Sequence, residues 1–86
     1  MTITETKDLI IEIHNAYPRH FERSDVKGVI TIWQEALKDI EFQYAHKALV
    51  EIMIESEFAP SVAEIYKRAR QIERYEYLKK GGIIYG

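Results

Sequence analysis

The stretch Phe58-Ala59-Pro60-Ser61-Val62-Ala63-Glu64-Ile65 decides where the last helix of this chain begins. Ser61 is a strong helix N-cap, because its hydroxyl can accept a hydrogen bond from the backbone N–H of Glu64. The Glu64 carboxylate can in turn accept one from the N–H of Ser61, which completes a capping box. Pro60 stands just before the cap, and with Phe58 it is expected to pack near Ile65 as a hydrophobic staple. The sequence therefore predicts a turn and then a helix that starts at Ser61.

Beyond Ser61, apolar residues recur every three or four positions, which is the period of an amphipathic helix. Gly81 and Gly82 are expected to end this fourth helix, since glycine is preferred just past a helix C-terminus. The residues expected to face inward are Val62, Ile65, Ala69, Ile72, Tyr75 and Leu78.

Two further helices are predicted in the N-terminal part of the chain. The first spans about Thr4 to Ala16 and ends before Tyr17-Pro18, because the residue before a proline avoids the α region. A loop anchored by Tyr17 and Phe21 leads to a second helix, which Ser24 or Asp25 can cap. The expected inward residues are Thr6, Leu9, Ile10, Ile13 and Ala16 in the first helix, and Val26, Val29, Ile30, Trp33, Leu37 and Ile40 in the second. Trp33 is expected at the centre of the core.

A third helix is predicted from about Glu41 to Glu55, after a break at Asp39. Its polar positions recur every four residues at Gln43, Lys47, Glu51 and Glu55. Its other side is apolar, with Phe42, Ala45, Ala48, Leu49, Val50, Ile52, Met53 and Ile54. This helix is therefore expected to be central and buried on most sides. Short connections favour antiparallel packing of the second helix on the third and of the third on the fourth.

The expected fold is a compact all-α bundle of about four helices. A single helical domain is predicted over residues 1–80, with residues 81–86 as a flexible C-terminal tail. Of the 86 residues, 47% are hydrophobic and 30% charged, which excludes a disordered chain. No window is apolar enough for a membrane span, and the N-terminus shows no export signal. With no cysteine, the composition fits a reducing cytoplasm.

The charge is unevenly distributed along the chain. Residues 1–60 carry 6 basic and 11 acidic side chains, a net charge of −5, whereas residues 61–86 carry 6 basic and 3 acidic ones, a net charge of +3. Glu73 and Glu76 interrupt the basic residues of the fourth helix, which favours a solvated face with pairs of opposite charge over a nucleic-acid surface.

Residue patterns typical of catalysis are missing from the sequence. None of His14, His20 and His46 has a second metal ligand four residues away, and there is no phosphate-binding loop. A serine nucleophile would need a nearby base, and Ser61 is already explained by capping. The chain is therefore expected to be no enzyme and to hold no metal or cofactor.

Several fragments resemble one protein family in their order and spacing. They are Tyr17-Pro18-x-x-Phe21, Trp33-x-x-x-Leu37, Asp39-x-x-Phe42, Ala48-Leu49 and Phe58-x-Pro60-Ser61-x-Ala63-Glu64-Ile65. Together, over about residues 9–72, they resemble the small helicase loader and inhibitor proteins of phages that infect Gram-positive bacteria. The resemblance implies an all-helical N-terminal domain without enzymatic activity. It also implies binding to a DnaB-type hexameric helicase, and delivery of that helicase to the phage origin through a replisome-organiser protein.

The resemblance implies that family members continue beyond the fourth helix into a charged segment that grips the helicase, so this chain is expected to be either a truncated or an unusually short version. The remaining basic and aromatic end is then the expected contact: Arg70, Arg74, Tyr75, Tyr77, Lys79, Lys80, Ile83, Ile84 and Tyr85. The chain is expected to be a monomer in the cytoplasm of the bacterial host.

Three alternatives stay open on the sequence alone. A small DNA-binding regulator would place the fourth helix in the major groove and contact phosphates through Lys67, Arg68, Arg70 and Arg74. Gly28 costs about 1 kcal/mol relative to alanine within a helix, which is either tolerated or explained by a close neighbour. Ile11 and Ile32 either form an exposed patch or pack against the loop between the first two helices.

Overall fold

The computed structural model describes residues 1–22 and 24–80, which form four helices. They are α1 (Ile3–Ala16), α2 (Val26–Ala36), α3 (Phe42–Glu55) and α4 (Val62–Lys80). No strand occurs in these two ranges, so the predicted all-α bundle is confirmed. None of the four helices is both long and apolar enough to cross a membrane. The predicted helix stop at Gly81 and Gly82 lies outside the described residues.

Capping boxes start two of the helices. At α4, the N–H of Glu64 donates to Ser61 Oγ at 3.2 Å and the N–H of Ser61 donates to Glu64 Oε1 at 3.0 Å, which confirms the predicted start. At α1, Thr2 and Glu5 make the same pair of bonds. The Thr-x-x-Glu spacing that signals this cap is present in the sequence, and it moves the start of α1 one residue earlier than predicted.

The helices pack in a closed order in which α1 contacts α2 and α3, and α4 contacts α2 and α3. The prediction that α2 packs on α3 is wrong, since no contact joins these two fully described helices. α2 ends at Ala36, and the turn that follows buries Leu37 and Ile40 while it redirects the chain. α3 contributes five buried residues, more than any other described helix, and it lies between α1 and α4.

Trp33 lies in the core as predicted, with 6% of its surface exposed. The ring of Phe21 meets it edge to face, with 6.4 Å between the ring centres. The Tyr17 hydroxyl donates to the carbonyl oxygen of Ser56 at 3.0 Å. Both Phe21 and Tyr17 pack against the core, so the predicted anchoring of the loop after α1 is confirmed.

Several residues predicted to be buried are exposed: Ala16, Val26, Val50, Ile54, Phe58, Tyr75 and Leu78. An apolar stripe on a helix is buried only where another helix covers it. Val50 and Ile54 lie on the side of α3 away from α1 and α4, and Leu78 lies near the end of α4. Phe58 does not form the predicted staple with Ile65, and Pro60 is the fully buried residue of that turn.

Gly28 and the two outlying isoleucines each have a definite environment. A Cβ atom on Gly28 would meet Asp25 Oδ2 at 2.9 Å, and its three nearest neighbours would all be atoms of the Asp25 side chain. Ile11 and Ile32 are both more than half exposed. Ile11 lines an apolar cavity of about 210 Å³ that also includes Phe21 and Val29, whereas Ile32 lies on the open side of α2.

Candidate partner-binding site on the fourth helix

α4 has two halves that differ in burial. Between Val62 and Ala69 it buries Ile65 and Ala69 completely. Between Arg70 and Lys80, here named the C-terminal half of α4, no residue is buried. The last four residues of this half are all exposed, and Tyr77 is 73% exposed. The first half therefore anchors the helix in the bundle, whereas in the second half Ile72 still packs against the core but the tyrosines and the last two lysines are exposed.

An open groove runs between α3 and the C-terminal half of α4. Three predicted contact residues, Tyr75, Lys79 and Lys80, lie together along it. The other lining residues are Lys47, Glu51, Arg68, Gln71, Ile72 and Glu76. The Tyr75 ring can contact an apolar side chain of a partner protein, while the ammonium groups of Lys79 and Lys80 can bind a carboxylate next to that side chain.

Arg68 ties the wall of this groove to α3. Its Nη1 donates to Glu51 at 3.0 Å and its Nη2 donates to Glu55 at 2.9 Å. The hydrogen bond to Glu55, followed by that to Glu51, raises the pKa of Arg68 above its usual range. A guanidinium group bonded to two carboxylates has little freedom to turn toward another ligand, so Arg68 acts as a clamp between helices.

A second ion pair crosses the groove one turn before its end, where Lys47 Nζ of α3 contacts a carboxylate oxygen of Glu76 of α4. The hydrogen bond from Lys47 lowers the pKa of Glu76, and the same bond raises the pKa of Lys47. The sequence predicts ion pairs within α4, but Lys47 and Glu76 pair between α3 and α4. The charges of Lys80 and Lys79 also lower the pKa of Glu76, so three cations surround one carboxylate and this end of the groove stays positive.

Arg70 lies on a different side of α4 from the groove. Its Nη1 donates to Glu73 Oε1 at 2.8 Å, and its guanidinium carbon is 5.3 Å from the centre of the Tyr66 ring. The hydrogen bond to the Tyr66 hydroxyl and then that to Glu73 raise the pKa of Arg70. Arg70 therefore already has an anion and an aromatic ring as neighbours.

The structure brings together only part of the predicted contact set. Tyr75, Lys79 and Lys80 share the groove, whereas Arg74 and Tyr77 are exposed outside its lining. Ile83, Ile84 and Tyr85 lie outside the described residues. The role of every member of the set as a partner contact stays a prediction.

Sequence reasoning missed the α3 side of the groove, although a signal was present. Lys47 comes early in α3 and pairs with Glu76 late in α4, whereas Glu51 and Glu55 come later in α3 and pair with Arg68 early in α4. Charges that match in reverse order across a short loop are what two antiparallel helices require. The DNA-binding alternative loses Arg68 as a free phosphate contact for the same reason.

Within residues 1–22 and 24–80, no group of three or more histidine, aspartate or glutamate side chains is placed to hold a metal ion. His46 contacts Glu12 of α1 at 2.8 Å and stacks on Phe42, so this histidine joins α1 to α3. The candidate surface considered further is the basic and aromatic end of α4.

The fold and this surface describe a small all-helical protein whose last helix ends in exposed basic and aromatic side chains. The chain belongs to the family of the phage gene 39 protein N-terminal domain, whose family model matches residues 1–66. The gene 39 protein is the helicase loader and inhibitor of phage SPP1, so the resemblance noted in the sequence is confirmed. The C-terminal half of α4 lies beyond the matched residues. No curated protein and no solved structure matches the chain.

Proposed function

We propose that this chain is a non-enzymatic phage replication factor that binds a DnaB-type hexameric helicase, inhibits it and helps to load it at the phage origin. The observation that carries the proposal is the family membership of residues 1–66. As in the family, a phage replisome-organiser protein is the second expected partner. The chain works as a monomer in the cytoplasm of the host.

We place the helicase contact on the C-terminal half of α4. Exposure supports this choice, as does the excess positive charge of Arg74, Lys79 and Lys80 next to two exposed tyrosines, Tyr75 and Tyr77. Tyrosine and arginine are among the side chains that most often anchor protein interfaces. The complementary helicase surface is acidic, with apolar or aromatic positions.

The mechanism is sequestration followed by delivery. A contact segment that is already helical loses little conformational freedom on binding, which favours affinity. The capping box at Ser61 and the ion pairs of Arg68 and Glu76 with α3 hold α4 on α3, so its exposed end keeps a fixed direction.

Purified hexameric helicase tests this assignment through its affinity for the chain and its unwinding rate. Substitution of Arg74, Lys79 and Lys80 by alanine is expected to weaken binding at least about tenfold and to relieve inhibition. The matched control replaces three cations of the remaining surface, Lys7, Arg19 and Lys27, and is expected to bind like the unsubstituted chain.

Three outcomes would count against parts of the proposal. Failure of the unsubstituted chain to bind helicase would exclude direct contact by residues 1–86. A gel shift with duplex DNA at low salt, lost steeply as salt rises, would instead support the DNA-binding regulator. If the two triple substitutions weaken binding equally, the proposal that the chain binds helicase would stand, but the assignment of the contact to α4 would be wrong.

A further inference from the structure

A second surface, on the side of α3 away from α4 and in the loop that follows α3, exposes three large apolar side chains. Val50 and Ile54 lie one turn apart on α3, and Phe58 follows in the loop before α4. Their exposed fractions are 37%, 81% and 78%. None of them belongs to the hydrophobic core of the described residues or to the partly buried residues that pack against it. We name these three residues the α3 apolar row.

Hydrogen bonds hold the outer end of the α3 apolar row in place. The backbone N–H of Phe58 donates to Ser56 Oγ at 3.0 Å, and Ser56 Oγ lies 3.3 Å from the Phe58 carbonyl oxygen. The Tyr17 hydroxyl fixes Ser56 itself through its carbonyl oxygen. The loop is thus braced with Phe58 turned outward, so a partner would meet a side chain whose backbone is already ordered.

Negative charge predominates beside the row. Glu51 and Glu55 each follow a row residue directly on α3, and Glu57 directly precedes Phe58. Arg68 is bound by both Glu51 and Glu55, and Lys47, three residues before Val50, is paired with Glu76, so Glu57 is the carboxylate beside the row that forms no ion pair with another described residue. Arg19 is a further cation near Phe58, in the shallow groove on the side of the loop after α1.

We propose that the α3 apolar row is the docking surface for a basic amphipathic helix of a partner protein. Apolar side chains at i and i+4 on such a helix match Val50 and Ile54, which have the same spacing. Lysine or arginine beside them would face Glu57, because Glu55 is already bound by Arg68, whereas an acidic helix would meet like charge. Lys47, Glu51 and Glu55 face α4 whereas Val50 and Ile54 lie on the other side of α3, so a partner on this row and a partner on the C-terminal half of α4 contact different faces of the bundle.

A model peptide tests the proposal with the full chain. The probe is an amphipathic helix of leucine and lysine, about 14 residues long, and the matched probe has glutamate in place of every lysine. Titrated into isotope-labelled protein and followed by NMR, the lysine peptide is expected to shift the signals of Val50, Ile54 and Phe58. The glutamate peptide is expected to leave these signals in place.

Variants locate the contact. Ile54→Ser and Glu57→Lys are each expected to weaken binding of the lysine peptide at least about fivefold. Ile32→Ser removes another well-exposed isoleucine, from α2, and is expected to change nothing. Shifts centred on the cavity beside Ile11 would overturn the proposal, as would equal binding of both peptides. Concentration-dependent shifts of the row without peptide would also overturn it, because they would identify a second copy of the chain as the occupant.

Discussion

The two halves of α4 share one helix and similar sequence periodicity, yet they differ in what surrounds them. In the first half, Ile65 and Ala69 are completely buried and Arg68 is bound to two carboxylates of α3. In the C-terminal half, Tyr75 and Tyr77 are exposed. The apolar and aromatic residues of a helix are therefore structural only as far as a neighbouring helix covers them.

This difference separates the residues that hold the bundle together from those available to a partner. A buried apolar side chain stabilises the fold through the area it removes from water. An exposed tyrosine contributes little of that kind, and its contact area is free for binding. Substitutions in the first half should thus affect stability, and those in the second half should affect helicase binding.

The largest effect is expected at the centre of the core on which the first half of α4 depends. Trp33→Ala should lower the free energy of unfolding by about 3–5 kcal/mol, because it leaves a large cavity beside Phe21. Small domains have only about 5–15 kcal/mol in total, so the substituted chain should be close to unfolding. Urea denaturation followed by circular dichroism measures the change. A cooperative transition at nearly the same midpoint would show that the core lies elsewhere.

A pair of substitutions within α4 sharpens the comparison directly. Ile65→Ala should cost about 2–5 kcal/mol, as for other fully buried large aliphatic residues. Tyr77→Ala, in the C-terminal half, should change stability by no more than about 0.5 kcal/mol. Thermal unfolding of the two variants side by side gives the difference. Similar losses for both would mean that the end of α4 packs against the bundle after all.

The capping box should have a smaller and local effect. Ser61→Ala removes the acceptor for the N–H of Glu64 and should cost about 1 kcal/mol. Ser24→Ala, in the exposed loop before α2, is the control and should stay within about 0.5 kcal/mol. Both changes in the free energy of unfolding are obtained from the shift of the denaturant midpoint, provided that the dependence of the free energy on denaturant concentration stays the same. Equal values would show that the cap does not fix the start of α4.

The smallest effect is expected from pH, through the ion pair between Lys47 and Glu76. The folded pKa of Glu76 is lowered from 4.5. The contribution of this carboxylate to the free energy of unfolding is therefore complete above pH 4.5 and is lost as the pH falls through the folded pKa. The folded pKa of Lys47 is raised from 10.5. The contribution of this ammonium group to the free energy of unfolding is therefore complete below pH 10.5 and is lost as the pH rises through the folded pKa.

Melting temperatures across the acidic range test this pair. Glu76→Gln should remove part of the acid sensitivity of the unsubstituted chain, with little change near neutral pH because the pair is partly exposed to solvent. The control variant is Glu35→Gln, which removes the carboxylate of an exposed ion pair between Glu35 and Lys38, three residues apart on the surface. An unchanged acid profile for Glu76→Gln would rule out a role of the pair in stability.

The sequence predicts the elements of this fold better than their contacts. Apolar periodicity and capping residues locate all four helices, because these signals act within a few residues of one another. The start of α4 at Ser61 is the clearest case. The packing of α2 on α1 and α4, and not on α3, depends on how the turn at Leu37 and Ile40 is buried. No local pattern encodes that direction.

The same limit applies to the candidate site. The basic and aromatic end of α4 is visible in the sequence, but a period of 3.6 residues does not say where α3 stops covering α4. Periodicity therefore predicts that Tyr75 and Leu78 face inward and that Val50 and Ile54 are buried, although all four are exposed. In each case the residue type fits a core, and only the length and placement of the neighbouring helix leave it in solvent.

The most direct test of the helicase contact compares the full chain with one that ends at Arg74, in both helicase affinity and free energy of unfolding. The shorter chain lacks Tyr75, Tyr77 and Lys79 but keeps every buried residue of the described structure. We expect its stability to stay within about 1 kcal/mol and its binding to helicase to fall below detection. Undiminished helicase binding by the shorter, folded chain would contradict the assignment of the contact to the C-terminal half of α4.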